Sequence, residues 1–157
     1  MEPSEDALEL DRQVCFALAV ASRSVIGIYR PILEPLGLTH PQSLIMLALW
    51  GDAPLRFGEI AEMLHLDAAT LSPIIKRLER SGLIERIPVE GDERTFQIVP
   101  TQEGRDLRQR ALAVPPAVVE RLGLPVERLM ALRDELTAII EAIDRPQSAD
   151  QVMETQR

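Results

Sequence analysis

The stretch from Phe57 to Thr101 constrains the fold most, because two helix signals separated by a short turn are followed at once by a hairpin signal. Phe57-Gly58-Glu59-Ile60-Ala61-Glu62-Met63-Leu64 reads as a short helix, and His65-Leu66 as the turn. Asp67 stands at an N-cap, its carboxylate placed for the free N–H groups of the next helix. Leu71, Ile74, Ile75 and Leu78 then recur at i, i+3, i+4 and i+7, a single core-facing stripe. Gly82 ends that helix as a left-handed C′ residue. Leu83 to Ile87 and Thr95 to Val99 are β-prone runs joined by a turn-rich tip from Pro88 to Arg94. This is the order of a winged helix–turn–helix, a scaffold that sets one helix in a major groove and the hairpin near the backbone. Double-stranded DNA is the partner it implies.

Hydrophobic residues make up 46% of the 157 positions and aromatic residues 3%, so the core must be mainly aliphatic, which suits helices. No run approaches the roughly 18 uninterrupted apolar residues of a membrane span. Met1-Glu2-Pro3-Ser4-Glu5-Asp6 is acidic, unlike a secretory or transit leader. A single cysteine excludes an intramolecular disulfide framework. A cytoplasmic protein with no membrane partner is expected. The net charge of −8 runs against DNA binding, but it is unevenly spread. Residues 55–110 carry nine basic and ten acidic groups, against three and seven in residues 1–54. Local clusters, rather than the total, set steering and affinity. Lys76, Arg77, Arg80, Arg86 and Arg94 are the candidates for such a cluster.

The fold class expected is mainly α with a small β-hairpin wing. Asp6 to Tyr29 reads as a long amphipathic helix stopped by Pro31. Leu36-Gly37-Leu38 is a turn, and a helix from Pro41 to Trp50 follows, with His40 as N-cap because residues before proline avoid the α region. Gly51 to Pro54 is a loop. Thr101 caps a further helix, which Pro115-Pro116 breaks near Val114. Gly123-Leu124-Pro125 is another break, and Val126 to Ile143 is the last helix. Its Leu129, Leu132, Leu136, Ile139, Ile140 and Ile143 form an apolar stripe. The tail from Arg145 is polar. Helices this apolar at both ends of the chain suggest a dimerisation module, about residues 6–36 and 102–143, around a DNA-binding lobe of about 39–101. The whole chain is then one domain. The alternative is that every helix packs inside one monomer.

On the helix from 68 to 80, Ala69, Pro73, Lys76 and Arg80 point away from the apolar stripe, flanked by Thr70, Ser72 and Arg77. Lys76, Arg77 and Arg80 suit phosphates, which supply position and affinity. Thr70 and Ser72 can read base edges, and small Ala68 and Ala69 allow close approach. Pro73 removes a backbone hydrogen bond, and an exposed proline there can pack on a thymine methyl. At the wing, Arg94 suits a narrow minor groove, with Asp92 placed to pair with its guanidinium. An ordinary solvated helix face and a solvated tip ion pair are the plainer alternatives for these positions.

Leu66 to Glu79, Gly82-Leu83-Ile84, Asp92-Glu93-Arg94 and Thr101-Gln102-Glu103-Gly104 together resemble the MarR family of transcriptional regulators. Val14-Cys15-Phe16-Ala17-Leu18, Ala21-Ser22-Arg23, Tyr29-Arg30-Pro31, Leu36-Gly37-Leu38-Thr39 and Pro41-Gln42 resemble its organic hydroperoxide-sensing branch. The resemblance spans about residues 8 to 143. It implies a homodimeric repressor on a pseudo-palindromic operator, with Cys15 as a peroxidatic thiol whose oxidation by an organic hydroperoxide releases DNA. One version of that switch uses a second cysteine, which this chain lacks. Only the one-cysteine version fits, completed by a small-molecule thiol or by over-oxidation.

The branch has tyrosines that hydrogen-bond the thiolate, and Tyr29 matches one of them. On one straight helix, Tyr29 would lie about 21 Å from Cys15, so a contact requires the partner subunit. Ala19 and His40 stand where the branch usually has tyrosine. A protonated His40 would compensate by lowering the thiol pKa, and a neutral one could still donate a hydrogen bond. The alternative within the family is release by a small aromatic or lipophilic ligand, with Cys15 as core packing.

An enzyme is not expected. His40 and His65 are the only histidines, Glu62 with His65 makes a poor metal site, and there is no phosphate-cradling loop or Ser/His/Asp arrangement. No cofactor is implied. A protein-interaction module is the other rival, separable by salt-dependent DNA binding.

Overall fold

A computed structural model describes residues 5–145, with only the backbone described for 5–12 and Glu93. Seven α-helices and three strands follow in the order α1 Glu5–Leu33, α2 His40–Asp52, β1 Leu55–Arg56, α3 Phe57–Met63, α4 Ala68–Arg80, β2 Ile84–Val89, β3 Asp92–Pro100, α5 Gln102–Ala111, α6 Val114–Leu122 and α7 Val126–Asp144. The polar tail beyond Arg145 lies outside the described residues. The chain divides between Arg121 and Leu122 into two compact units.

The first unit holds the winged helix–turn–helix. Asp67 caps α4 as expected, accepting from the Thr70 N–H at 2.7 Å. Leu71, Ile75 and Leu78 are fully buried and Ile74 packs against them. Gly82 takes φ 78°, the left-handed turn that releases the chain into β2. The sheet is antiparallel in the order β1-β3-β2. β1 was not expected. Two residues are too few for a period-2 signal, and Leu55 and Arg56 become strand only by pairing with Ile98 and Gln97. The wing strands also run further than the β-prone residues, meeting at Val89 and Asp92, so the tip tightens to Glu90-Gly91. Pro88 sits on the edge strand next to a register irregularity, where a missing N–H is tolerated.

Several expected boundaries move. α1 continues through Pro31 to Leu33. So near the helix end, proline forfeits only the hydrogen bond to the Gly27 carbonyl. The N-cap of α2 is Thr39 rather than His40: Thr39 is extended, its hydroxyl accepts from the Gln42 N–H, and the Gln42 side chain accepts from the Thr39 N–H. This reciprocal capping box outweighs the bias of a residue before proline. α2 itself extends through Gly51-Asp52. Pro115 and Pro116 fall in the first turn of α6, where they start a helix instead of breaking one.

The core is aliphatic. Ile45, Met46 and Leu49 of α2 meet Ile60, Leu71, Ile75, Leu78, Ile84 and Ile98, with Leu33, Leu38 and Leu107 closing the ends. The only tryptophan, Trp50, anchors α2 to α5 by donating its indole N–H to the Gly104 carbonyl at 2.9 Å. Gly104 is required there, because a Cβ would run into the Leu83 carbonyl.

Residues 13–24 of α1 are exposed all round, apolar side chains included. Val14, Phe16, Leu18, Val20 and Ile26 are exposed, Phe16 by 67%. Gln13–Leu36 is long and apolar enough to cross a membrane by length and composition, correcting the expectation that no segment is. Counting uninterrupted apolar residues missed it because Arg23 and Arg30 break the run without lowering its average far. In the second unit, α7 exposes Leu132, Ile139, Ile140 and Ile143 of its expected stripe.

Candidate DNA interface and sensor positions

The candidate DNA-facing side chains lie on α4 and the wing. Ala68, Ala69, Thr70, Pro73, Lys76, Arg77 and Arg80 are exposed on α4, and Ser72 is half-buried. The buried stripe on the opposite face of α4 fixes that orientation. Pro73 sits exposed inside α4, and nothing in the structure explains it.

Of the five expected basic residues, Lys76, Arg86 and Arg94 come together around a cleft of about 420 Å³ between α4 and the sheet. Arg77 and Arg80 do not line it. Arg86 is also ion-paired, its Nε 2.9 Å from the Glu79 carboxylate. Sequence reasoning missed Arg56, which lines the same cleft. The only signal for it was its position just before the α3 pattern.

Asp92 plays a different part from the one expected. Its carboxylate accepts from the Arg94 backbone N–H at 3.0 Å and the Thr95 hydroxyl at 2.6 Å. No pairing with the Arg94 guanidinium is present. An aspartate two residues before an N–H forms this local turn more readily than it captures a long side chain. The Thr95 hydroxyl, then the Arg94 N–H, with a smaller contribution from Arg56, hold its carboxyl below the usual range. Asp67 is likewise lowered by its hydrogen bonds to Thr70.

The candidate sensor residues divide. Cys15 is exposed on α1. Tyr29 and His40 meet each other, ring centroids 4.8 Å apart and planes at 65°. Tyr29 lies in the last turns of α1 and His40 opens α2, on either side of the bend between them. Cys15 and Tyr29 sit fourteen residues apart on the continuous α1, about 21 Å by helical rise. Burial lowers the His40 pKa, which keeps the imidazole neutral near pH 7. Burial thus works against a cationic His40. His40 also lines a cleft of about 580 Å³ with Arg23, Ile26, Arg30 and Leu38. Among the described residues no group of three or more potential metal ligands occurs.

A family model described as MarR matches residues 38–96. The organic hydroperoxide resistance transcriptional regulator of Bacillus subtilis (strain 168) is 36% identical over 143 residues, 91% of this chain and 97% of that protein. The chain belongs to the MarR family. Reduced AbfR bound to DNA has the same fold, with a TM-score of 0.73 and 30% identity over 90% of this chain and 99% of that one. Over-oxidised AbfR bound to DNA gives 0.72 at 30% identity, over 88% and 98%. AbfR comes from Staphylococcus epidermidis. As a MarR-family member this chain is a DNA-binding transcriptional regulator and not an enzyme.

Proposed function

We propose that this MarR-family regulator is a homodimeric repressor released from its operator when an organic hydroperoxide oxidises Cys15. The observation that carries the reading is the exposure of Cys15 among the exposed apolar side chains of α1, about 21 Å from the Tyr29–His40 pair on the same chain. A second copy laid antiparallel along α1 brings each thiol towards the other chain's pair. The hydroperoxide-resistance function named for the Bacillus subtilis relative, and the reduced and over-oxidised DNA complexes of AbfR, support it. The exposed stripe of α7 supplies further apolar surface for such a dimer. Recognition would use Ala68, Ala69, Thr70, Ser72, Pro73, Lys76, Arg77 and Arg80 on α4, with Arg86, Asp92 and Arg94 at the wing, on a pseudo-palindromic site.

The Cys15 thiolate attacks one oxygen of the hydroperoxide. The O–O bond breaks, a sulfenic acid forms, and the other oxygen leaves as an alcohol after taking a proton. With no second cysteine in the chain, a small-molecule thiol condenses with the sulfenic acid and releases water, or further hydroperoxide drives it to the sulfinic acid.

Fluorescence anisotropy on the upstream intergenic DNA, titrated with cumene hydroperoxide, tests the reading. Wild type should dissociate near one equivalent per subunit while Cys15→Ser stays bound. Retention of both proteins on DNA would overturn it and favour a ligand-released regulator.

A further inference from the structure

We infer that the cleft between α4 and the wing is a clamp for one DNA backbone phosphate, with Arg56 as a binding residue. The inference rests on the placement of α4 in the major groove and Arg94 in the adjacent minor groove. Those two grooves are separated by a single sugar–phosphate ridge, so whatever lies between α4 and the wing faces phosphates. What lies there is the cleft of about 420 Å³ lined by Arg56, Ser72, Lys76, Arg86 and Arg94.

Its charge is out of keeping with the rest of the chain. The molecule carries −8, yet four cations line this one cleft, including its only lysine, and no carboxylate lines it among the described residues. Among the described residues, Glu79 and Asp92 stand at its rim. Glu79 pairs with Arg86, and both Asp92 oxygens accept from Arg94 and Thr95. Among the described residues the Arg56 guanidinium is attracted by Asp92 at longer range without a direct ion pair, and its backbone is fixed. β1 pairs it with Gln97, and its N–H is accepted by Glu59 at 2.7 Å. Leu55, its neighbour in β1, is buried, so the strand alternation turns Arg56 outward. A planar guanidinium on a fixed backbone, with a lysine and a hydroxyl opposite, matches a phosphodiester rather than a base edge. The clamp sets position on the duplex and carries no sequence information.

Arg56→Gln tests this in the full-length protein, by anisotropy against salt on the operator and on a scrambled duplex. The variant should weaken both complexes by the same factor, about fivefold or more at low salt. Its log–log salt slope should fall by about 1.8 for two lost phosphate contacts per dimer. A single uncharged methylphosphonate placed in the ridge between the two grooves should weaken wild type by a larger factor than it weakens Arg56→Gln, in which Lys76, Arg86 and Arg94 remain. Arg56→Lys, which keeps the charge, should retain the salt slope even if glutamine disturbs folding. An unchanged slope, or a loss confined to the operator, overturns the clamp. Lys76→Ala and Arg94→Ala separate the two failures: if they weaken binding while Arg56→Gln does not, only the clamp is wrong. If none of the three matters, the placement of α4 and the wing is wrong as well.

Discussion

Tyr29 and His40 stack edge to face across the bend between α1 and α2, with ring centroids 4.8 Å apart. The contact ties the end of α1 to the first turn of α2. It also half-buries the imidazole, which is what lowers its pKa.

That shift has a definite sign in stability. A histidine whose folded pKa lies below the ordinary value binds more protons unfolded than folded, so stability falls as pH drops through about 6.5 towards the folded pKa. Urea midpoints of wild type should decline over that window more steeply than those of His40→Gln, with His65 common to both proteins. Equal slopes would remove burial as the controlling influence on His40.

A neutral His40 supplies at most one hydrogen bond to a thiolate and no cation. Replacing it with tyrosine restores the phenol that the hydroperoxide-sensing branch carries at this position. His40→Tyr should speed Cys15 oxidation at pH 7 by about tenfold or more, the lower end of the range for one hydrogen bond to a charged acceptor. Stopped-flow consumption of cumene hydroperoxide measures it, with Cys15→Ser as the blank.

Gly104 and Trp50 hold α5 against the lobe by backbone geometry. Adding a methyl at Gly104 forces apart α5 and the Leu83 carbonyl, which has no side-chain freedom to yield. Gly104→Ala should cost about 1–3 kcal/mol in urea unfolding, the range of overpacked interiors. Trp50→Phe removes the 2.9 Å indole hydrogen bond together with part of a ring packed on the core, and should cost about 1–3 kcal/mol.

The helix–turn–helix was legible because its signals are local. Asp67, Gly82 and the Leu71-Ile75-Leu78 stripe act within one helix and appear in the structure where the residues place them. The errors fall where a longer-range partner decides. β1 exists because β3 pairs with it, and Thr39 caps α2 because Gln42 reaches back. Asp92 was misassigned because the nearest N–H and hydroxyl competed with a charge that attracted attention first. Arg56 was invisible for the same reason as β1, since only the sheet brings it beside Lys76 and Arg94.

Glu79 gives the last expectation. Among the described residues it is the carboxylate ion-paired with a cleft arginine, 2.9 Å from Arg86, with both side chains roughly two-fifths exposed. An exposed pair of this kind contributes about 0–1 kcal/mol to folding, so Glu79→Gln should leave the urea midpoint almost unchanged. Its effect on DNA should be larger, because removing the carboxylate frees Arg86 and takes a negative charge away from the phosphate ridge. Affinity should rise about threefold or more at low salt and converge with wild type at high salt, where screening shortens the reach of either charge. A Glu79→Gln protein that binds no more tightly at low salt would mean that Arg86 serves the fold through its ion pair and does not meet DNA.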